Sequence, residues 1–180
     1  VVRSTNLPVI VKLTAAAVNP IDTATGVLNA GAKALTVVNR FPALELDIET
    51  GRPLLHSSFA GVGGPWMRPI MLQWVAKIHR QFPDIPISAT NGIWGWEDVV
   101  KSIMVGADTV QTCTALMYSP KGYGMIKEYT DKLGEYMDRK GYATIADLKG
   151  ITIPQLLTWD QVDRDTRNVS VVDQDKCNGC

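Results

Sequence analysis

Cysteine is scarce in this chain: there are three in 180 residues, two of them within the last four positions. That count excludes a disulfide framework. No apolar run approaches the roughly 20 residues a membrane-spanning helix needs, and the N-terminus lacks the layout of a secretion signal. Neither sign of charge is in excess, with 18 basic and 18 acidic residues. Bulk attraction to nucleic acid or to an anionic membrane is therefore not expected. No dinucleotide glycine fingerprint follows the first strand-like run, which argues against a Rossmann domain. What remains is ordinary globular composition, 46% hydrophobic with a mean hydropathy of +0.01, enough for one core. By default the expected location is the cytoplasm.

The apolar pattern alternates between two periods. Residues 7–13 (LPVIVKL), 34–38 (ALTVV), 85–89 and 109–113 are short runs rich in β-branched residues, read as strands. Residues 21–30, 68–81, 97–105 and 123–140 carry helical spacing, and Gly31 and Gly106 stand where two of these helices should stop. In the second helix Ile70, Trp74 and Ile78 share a face; in the last, Met125, Tyr129, Leu133 and Tyr136 or Met137 do. Residues 41–65 form a long connection with a turn at Thr50-Gly51-Arg52-Pro53, the mark of a functional loop or a small hairpin excursion.

Strand and helix alternate four times. Continuous apolar strands in that order predict a parallel sheet covered by helices. The expected fold is α/β, the C-terminal half of a (β/α)8 TIM barrel spanning residues 1–150. Such a barrel normally needs about 250 residues, and four strands leave two open edges. The chain opens on Val1 rather than Met and stops inside "DKCNGC". The expectation is therefore a fragment or partial chain, with the other barrel half N-terminal, in the same or another chain, and an oligomeric assembly.

Active sites of such barrels lie at the C-terminal ends of the strands. Those ends here supply Lys12, Asn39, Thr90-Asn91-Gly92 and Cys113-Thr114, and the long loop adds Gly61-Val62-Gly63-Gly64. Each has an ordinary reading too: a snorkelling strand lysine, a turn-forming asparagine, a flexible glycine loop, a buried cysteine and a threonine helix cap. Together they fall where one small ligand could touch them all. Small residues at successive strand ends let backbone N–H groups approach a phosphate, aided by the positive ends of the following helices. A lysine facing the same space supplies charge where a cofactor ring would become anionic on reduction. His56 and His79 are read as surface residues, and Trp66, Trp74, Trp94 and Trp96 as packing between helices and barrel.

The segments "VIVKLT", "TVVNR", "GVGGPWMRPIML", "ISATNGI", "VQTCTAL" and "YMDRKGYATIADLKG" resemble the FMN-binding barrels of the dihydroorotate and dihydropyrimidine dehydrogenases. Within that family the likeness is strongest to the bacterial dihydropyrimidine dehydrogenase subunits that carry a ferredoxin tail. The resemblance implies that Lys12 lies near the flavin ring, Asn39 binds substrate, Gly64 contacts FMN, and Thr90, Asn91, Gly92, Cys113 and Thr114 line the phosphate. Two departures stand out. Asn91-Gly92 replaces the family's Gly-Gly, and Arg40 stands where pyrimidine-binding members carry Ser or Thr, making it a candidate substrate contact that suits a carboxylate. The family's catalytic base, a Cys or Ser, is expected upstream of Val1, so no catalytic residue is assigned within this segment.

The tail "VSVVDQDKCNGC" resembles the opening of a bacterial ferredoxin module. That implies a linker at 151–170, a truncated 4Fe-4S segment at 171–180, and Cys177 and Cys180 as its first two ligands. Zinc or a redox dithiol are the other readings of a bare C-x-x-C. The expected activity is an FMN-dependent oxidoreductase acting on a CH–CH or C=C bond of a small substrate, exchanging electrons with a partner through iron–sulfur clusters. A non-redox phosphate-binding barrel of the aldolase or isomerase type, or a non-catalytic half-barrel subunit, are the alternatives.

Overall fold

Short β-branched runs pair with one another in the order in which they occur. The computed structural model describes residues 2–166, 169, 171–173 and 175–177. Val1, upstream of which the catalytic base is expected, lies outside the described residues. The elements are β1 (Ile10–Lys12), α1 (Pro20–Asn29), β2 (Ala34–Val37), β3 (Phe41–Ala43), β4 (Leu46–Asp47), β5 (Arg52–Pro53) and β6 (Ala60–Val62). There follow α2 (Arg68–Gln81), β7 (Ile87–Thr90), α3 (Trp96–Met104), β8 (Thr109–Gln111), α4 (Thr114–Tyr118), α5 (Gly124–Lys140) and α6 (Ile145–Leu148).

The main sheet runs β1-β2-β7-β8, every pair parallel, with Ile10 opposite Ala34, Leu35 opposite Ile87 and Ser88 opposite Thr109. A parallel sheet in chain order, helices between its strands, is consistent with part of a TIM barrel. β1 and β8 are its two edges, and Ile10 on β1 is 61% exposed.

The core forms between this sheet and α2. Leu35, Val37 and Val38 at the end of β2, and Ile87 and Ala89 of β7, are buried against Met71, Trp74, Val75 and Ile78. Both faces of β2 are covered, so its residues read as one apolar run rather than an alternating one. A second cluster joins Val100 and Ile103 of α3 to Leu148, with Leu133, Tyr136 and Tyr142 packed around it. Tyr129 is the buried residue of the apolar stripe on α5.

The long connection is a hairpin excursion. β3 pairs antiparallel with β6, and β4 with β5 nested inside it. The inner turn is held by Asp47, whose carboxylate accepts from the Glu49 N–H and the Thr50 hydroxyl, and Gly51 takes the positive φ of +66° it requires.

Strand limits differ from the pattern in all four main strands, and β2 stops at Val37, one residue short of the expected end. β1 is three residues of the seven expected. The third main strand starts at Ile87 because the Ile85 N–H is spent on a turn back to Phe82 O and Pro86 has none to give. β8 ends at Gln111, where Thr112 turns its hydroxyl to Ile93 O and Cys113 caps α4. His79 is also corrected. It is not a solvated surface residue: its ring packs on the backbones of Gly106 and Gly150, and its Nδ1 is buried with no hydrogen-bond partner among the described residues. Burial first, and the Lys149 charge second, hold its pKa below the usual histidine value, with Asp108 opposing.

Candidate functional site

The C-terminal ends of the four parallel strands open into one cavity of about 330 Å³. Lys12 reaches it from β1, Arg40 from just beyond β2, Thr90, Asn91 and Gly92 from the end of β7, and Cys113 and Thr114 from beyond β8, with Gly64 at the end of the hairpin. These are all seven residues named from the sequence as cofactor contacts, plus Arg40. Asn39 does not line the cavity. Its Oδ1 accepts from the Arg40 N–H at 2.9 Å, which fixes the backbone at the root of the arginine.

The wall at the end of β7 is built by backbone rather than by side chains. Asn91 has φ +81° and Gly92 φ +76°, two successive left-handed residues that turn the chain out of the strand. Asparagine is among the few residues that adopt this conformation readily, so the Asn-Gly pair makes the turn. Its amide also donates from Nδ2 to Val38 O at 3.1 Å, tying the turn to β2. At Gly92 a Cβ would sit 2.5 Å from the Arg68 backbone nitrogen, so glycine is required there on packing grounds as well.

Behind this wall lies a group that the pattern of the sequence did not disclose. Asp98 is buried in the first turn of α3. One carboxylate oxygen accepts from the N–H groups of Trp94 (2.9 Å) and Gly95 (3.1 Å), and the other from Arg68 Nη1 (2.8 Å). Tyr129 donates its hydroxyl to Trp94 O at 2.6 Å, and burial raises its pKa, which keeps it a donor. The Ile93–Gly95 side of the cavity is thus pinned from two helices. The start of α3 is occupied by Asp98, so the helix dipole expected to assist an anion there already has a negative partner. An acidic residue in a first helical turn is the one local signal that could have pointed to it. Its link to Arg68, thirty positions away, is tertiary.

Four further lining residues, Ile93, Trp94, Gln111 and Thr112, were not named from the sequence as part of the site. Trp94 departs from the packing role expected of it: it is 42% exposed and forms part of the cavity wall. Trp74 is core, Trp96 packs on Tyr136 and Trp66 stacks on Phe41. Cys113 is exposed rather than buried.

The electrostatics are one-sided. Among the described residues no carboxylate lines the cavity, and neither Lys12 nor Arg40 has an ion-pair partner. Two cations facing one partly enclosed space favour an anionic occupant. Cys177, the first of the two tail ligands expected, is an exposed free cysteine, and Cys180 lies outside the described residues. Among the described residues no three His, Cys, Asp or Glu side chains are grouped as a metal site, and no helix is long and apolar enough to cross a membrane.

Residues 1–137 match the family model described as dihydroorotate dehydrogenase. The chain belongs to the dihydroorotate dehydrogenase family. Among curated relatives it is 35% identical, over 80% of its own length and 47% of the relative's, to a Petrotoga mobilis protein named dihydroorotate dehydrogenase B (NAD(+)), catalytic subunit. A protein of the same name from Pyrococcus abyssi is 30% identical over 83% of this chain and 49% of its own. The NAD-dependent dihydropyrimidine dehydrogenase subunit PreA of Escherichia coli K12 is 26% identical, over 99% of this chain and 44% of that protein. The chain therefore spans about half the length of the curated relatives it matches. The resemblance carried by the six segments is borne out, and the match to the last relative extends through the tail.

Proposed function

We propose that this chain supplies residues 1–150 as the C-terminal part of an FMN-binding (β/α)8 barrel in an oxidoreductase acting on a CH–CH or C=C bond of a small substrate. The observation that carries the reading is the cavity: eight residues, Arg40 among them, from four strand ends and a hairpin converge on one cationic space at the C-terminal side of a parallel sheet. The residues fit FMN. The backbone turn at Thr90-Asn91-Gly92 and the start of α4 at Cys113-Thr114 would hold the phosphate, Gly64 would lie against the cofactor, and Lys12 would face the ring. Bound there, FMN supplies a centre that accepts and returns a hydride. Lys12, at the end of β1, would stabilise negative charge on the ring side of the cavity. Asn39 would orient substrate once its amide turns from the Arg40 backbone.

The tail completes the proposal. Residues 151–170 would link the barrel to a 4Fe-4S segment beginning at 171–180, with Cys177 and Cys180 as ligands and electrons exchanged with a partner subunit. The catalytic base and the N-terminal barrel half would come from upstream of Val1 or from another chain, and the remaining cluster ligands from beyond Cys180. Visible absorption of the intact protein tests the cofactor reading: a flavin spectrum with about one FMN per barrel is expected. A colourless protein that takes up no added FMN would leave the aldolase or isomerase type of barrel, or a half-barrel without catalysis.

A further inference from the structure

The end of α2 meets the chain that follows α6 through the ring of His79. The ring lies against two glycines: a Cβ added to Gly106 would overlap it, and one added to Gly150 would sit 2.9 Å from its Nε2. Two of the three parties are well anchored. His79 follows Ile78, which is fully buried in the core, and Gly106 precedes Ala107, also fully buried, whose N–H bonds to Ser102 O. Gly150 belongs to a strap, residues 149–156, that runs back along the end of α3 and is held more lightly. Gly150 N–H bonds to Ile103 O at 3.0 Å and Thr152 N–H to Met104 O at 3.1 Å. Ile151 and Ile153 are only partly buried, and Pro154, Gln155 and Leu156 are exposed. Lys149 pairs with Asp108, whose other oxygen accepts from the Ile87 N–H. Segments with few buried apolar contacts and few backbone bonds open at lower free energy than the core.

This packing makes the charge of the ring matter. A neutral imidazole can carry its proton on Nε2 and leave Nδ1 bare, but a protonated one is a donor at both nitrogens. Nδ1 is buried without a hydrogen-bond partner among the described residues. These contacts enclose it already, so its burial does not depend on what joins the open edges of the sheet. Protonation would therefore bury an N–H and a positive charge with no acceptor. The charged groups facing the ring are Lys149 of the strap, which repels a cation, and Asp108 before β8, which attracts one. Asp108 already accepts from Lys149 and from the Ile87 N–H. Gly106 and Gly150 bring no charge, and Arg80 is the neighbour of His79 on α2. Burial and Lys149 outweigh Asp108 and hold the ring towards its neutral form.

We propose that His79 is a proton-operated latch: neutral, it holds the 149–156 strap against α3, and protonated, it releases the strap while the parallel-sheet core stays folded. The strap yields because it is the least anchored of the three parties. Each released residue adds up to about 3.5 Å of reach, so protonation lengthens the tether between the sheet and the tail that carries Cys177. With the strap released, the ring returns to its ordinary value of about 6.5, above its value in the latched state. The latch is therefore closed above about pH 6.5 and opens as the pH falls towards the latched-state value. Hydrogen exchange of the intact protein at pH 7.5 and 5.5, corrected for intrinsic rates and repeated in sub-denaturing urea, tests this. The N–H groups of Gly150 and Thr152 should exchange faster than those of Leu13 and Leu35, which bond within the main sheet region. Their protection should fall by up to about tenfold between the two pH values, a ceiling set by a released-state pKa of about 6.5, and urea should leave it unchanged. His79→Gln, uncharged at both pH values, should abolish that fall. In the unmodified protein, where no substitution can disturb folding, NMR titration should place the His79 ring below about 6.5. A ring titrating at or above that value overturns the proposal, as does a fall that persists in His79→Gln. So does strap protection that is unchanged by pH, or as high and as urea-sensitive as that of Leu35, since the strap would then open only with the whole fold.

Discussion

Asp98→Ala should damage both the fold and the proposed cofactor site, although Asp98 does not line the cavity. The carboxylate is buried, and removing it strands the N–H groups of Trp94 and Gly95 and the Arg68 guanidinium. Hydrogen bonds to a charged group contribute roughly 1.5–3 kcal/mol each, and breaking a buried ion pair costs about 3–5 kcal/mol. Arg68 is 33% exposed, so water would replace part of what it loses, and the arginine side of the account belongs at the low end. A loss of about 3 kcal/mol follows, comparable with a large single-site effect. Asp98→Asn keeps an acceptor for the two N–H groups and loses the charge, so about half that loss is expected. Urea unfolding of the intact protein measures both, with FMN retention read in parallel. FMN affinity should fall at least about tenfold in Asp98→Ala as the Ile93–Gly95 wall loosens. If Asp98→Ala unfolds within about 0.5 kcal/mol of the unmodified protein and retains FMN equally, the pinning of this wall by Asp98 is wrong.

Gly92→Ala combines a positive φ of +76° with a Cβ 2.5 Å from the Arg68 backbone, so a loss of at least about 1–3 kcal/mol and weaker FMN retention are expected in the same two assays. Tyr129→Phe removes the donor to Trp94 O and should cost about 1 kcal/mol in urea unfolding, with no new pH dependence below pH 9. Lys12→Ala should weaken FMN retention or slow flavin reduction measured by stopped-flow absorbance; if both are unchanged, Lys12 has no part in the site. His79 has a depressed folded-state pKa, so it is neutral in folded and unfolded chains above its unfolded value of about 6.5. Below that pH the unfolded chain gains a proton that the folded one resists. Stability attributable to this group is therefore present above about pH 6.5 and lost as the pH falls towards the folded pKa. Unfolding series between pH 5.5 and 7.5 should show a steeper acid loss in the unmodified protein than in His79→Gln.

The order of strands and helices was legible from local sequence because each rests on a short-range rule. Continuous β-branched runs marked four strands, helical spacing marked four long helices, and Gly31 and Gly106 ended two of them at positive φ. The exact strand limits did not follow from these rules, but Lys12, Thr90–Gly92 and Cys113–Thr114 did emerge as neighbours, since consecutive parallel strands bring their C-terminal ends to one side of a sheet. The five-residue α4 and four-residue α6 escaped because a single turn leaves no period to read.

Tertiary structure decided what depends on partners far apart in the chain. Arg40 lines the cavity with its side chain against Gly61 and Gly63, more than twenty residues on, where an added Cβ would crowd it. Asp98 is an ordinary first-turn acid until α2 brings Arg68 against it, and Trp94 is a wall of the cavity because Tyr129 and Asp98 hold its backbone from two helices. The half-buried His79 ring packs on Gly106 and Gly150, each small enough to let a ring approach the chain. Local sequence specifies which groups stand at the end of each strand. Side-chain direction and burial are settled by packing, where a missing Cβ in one segment determines the space left for another.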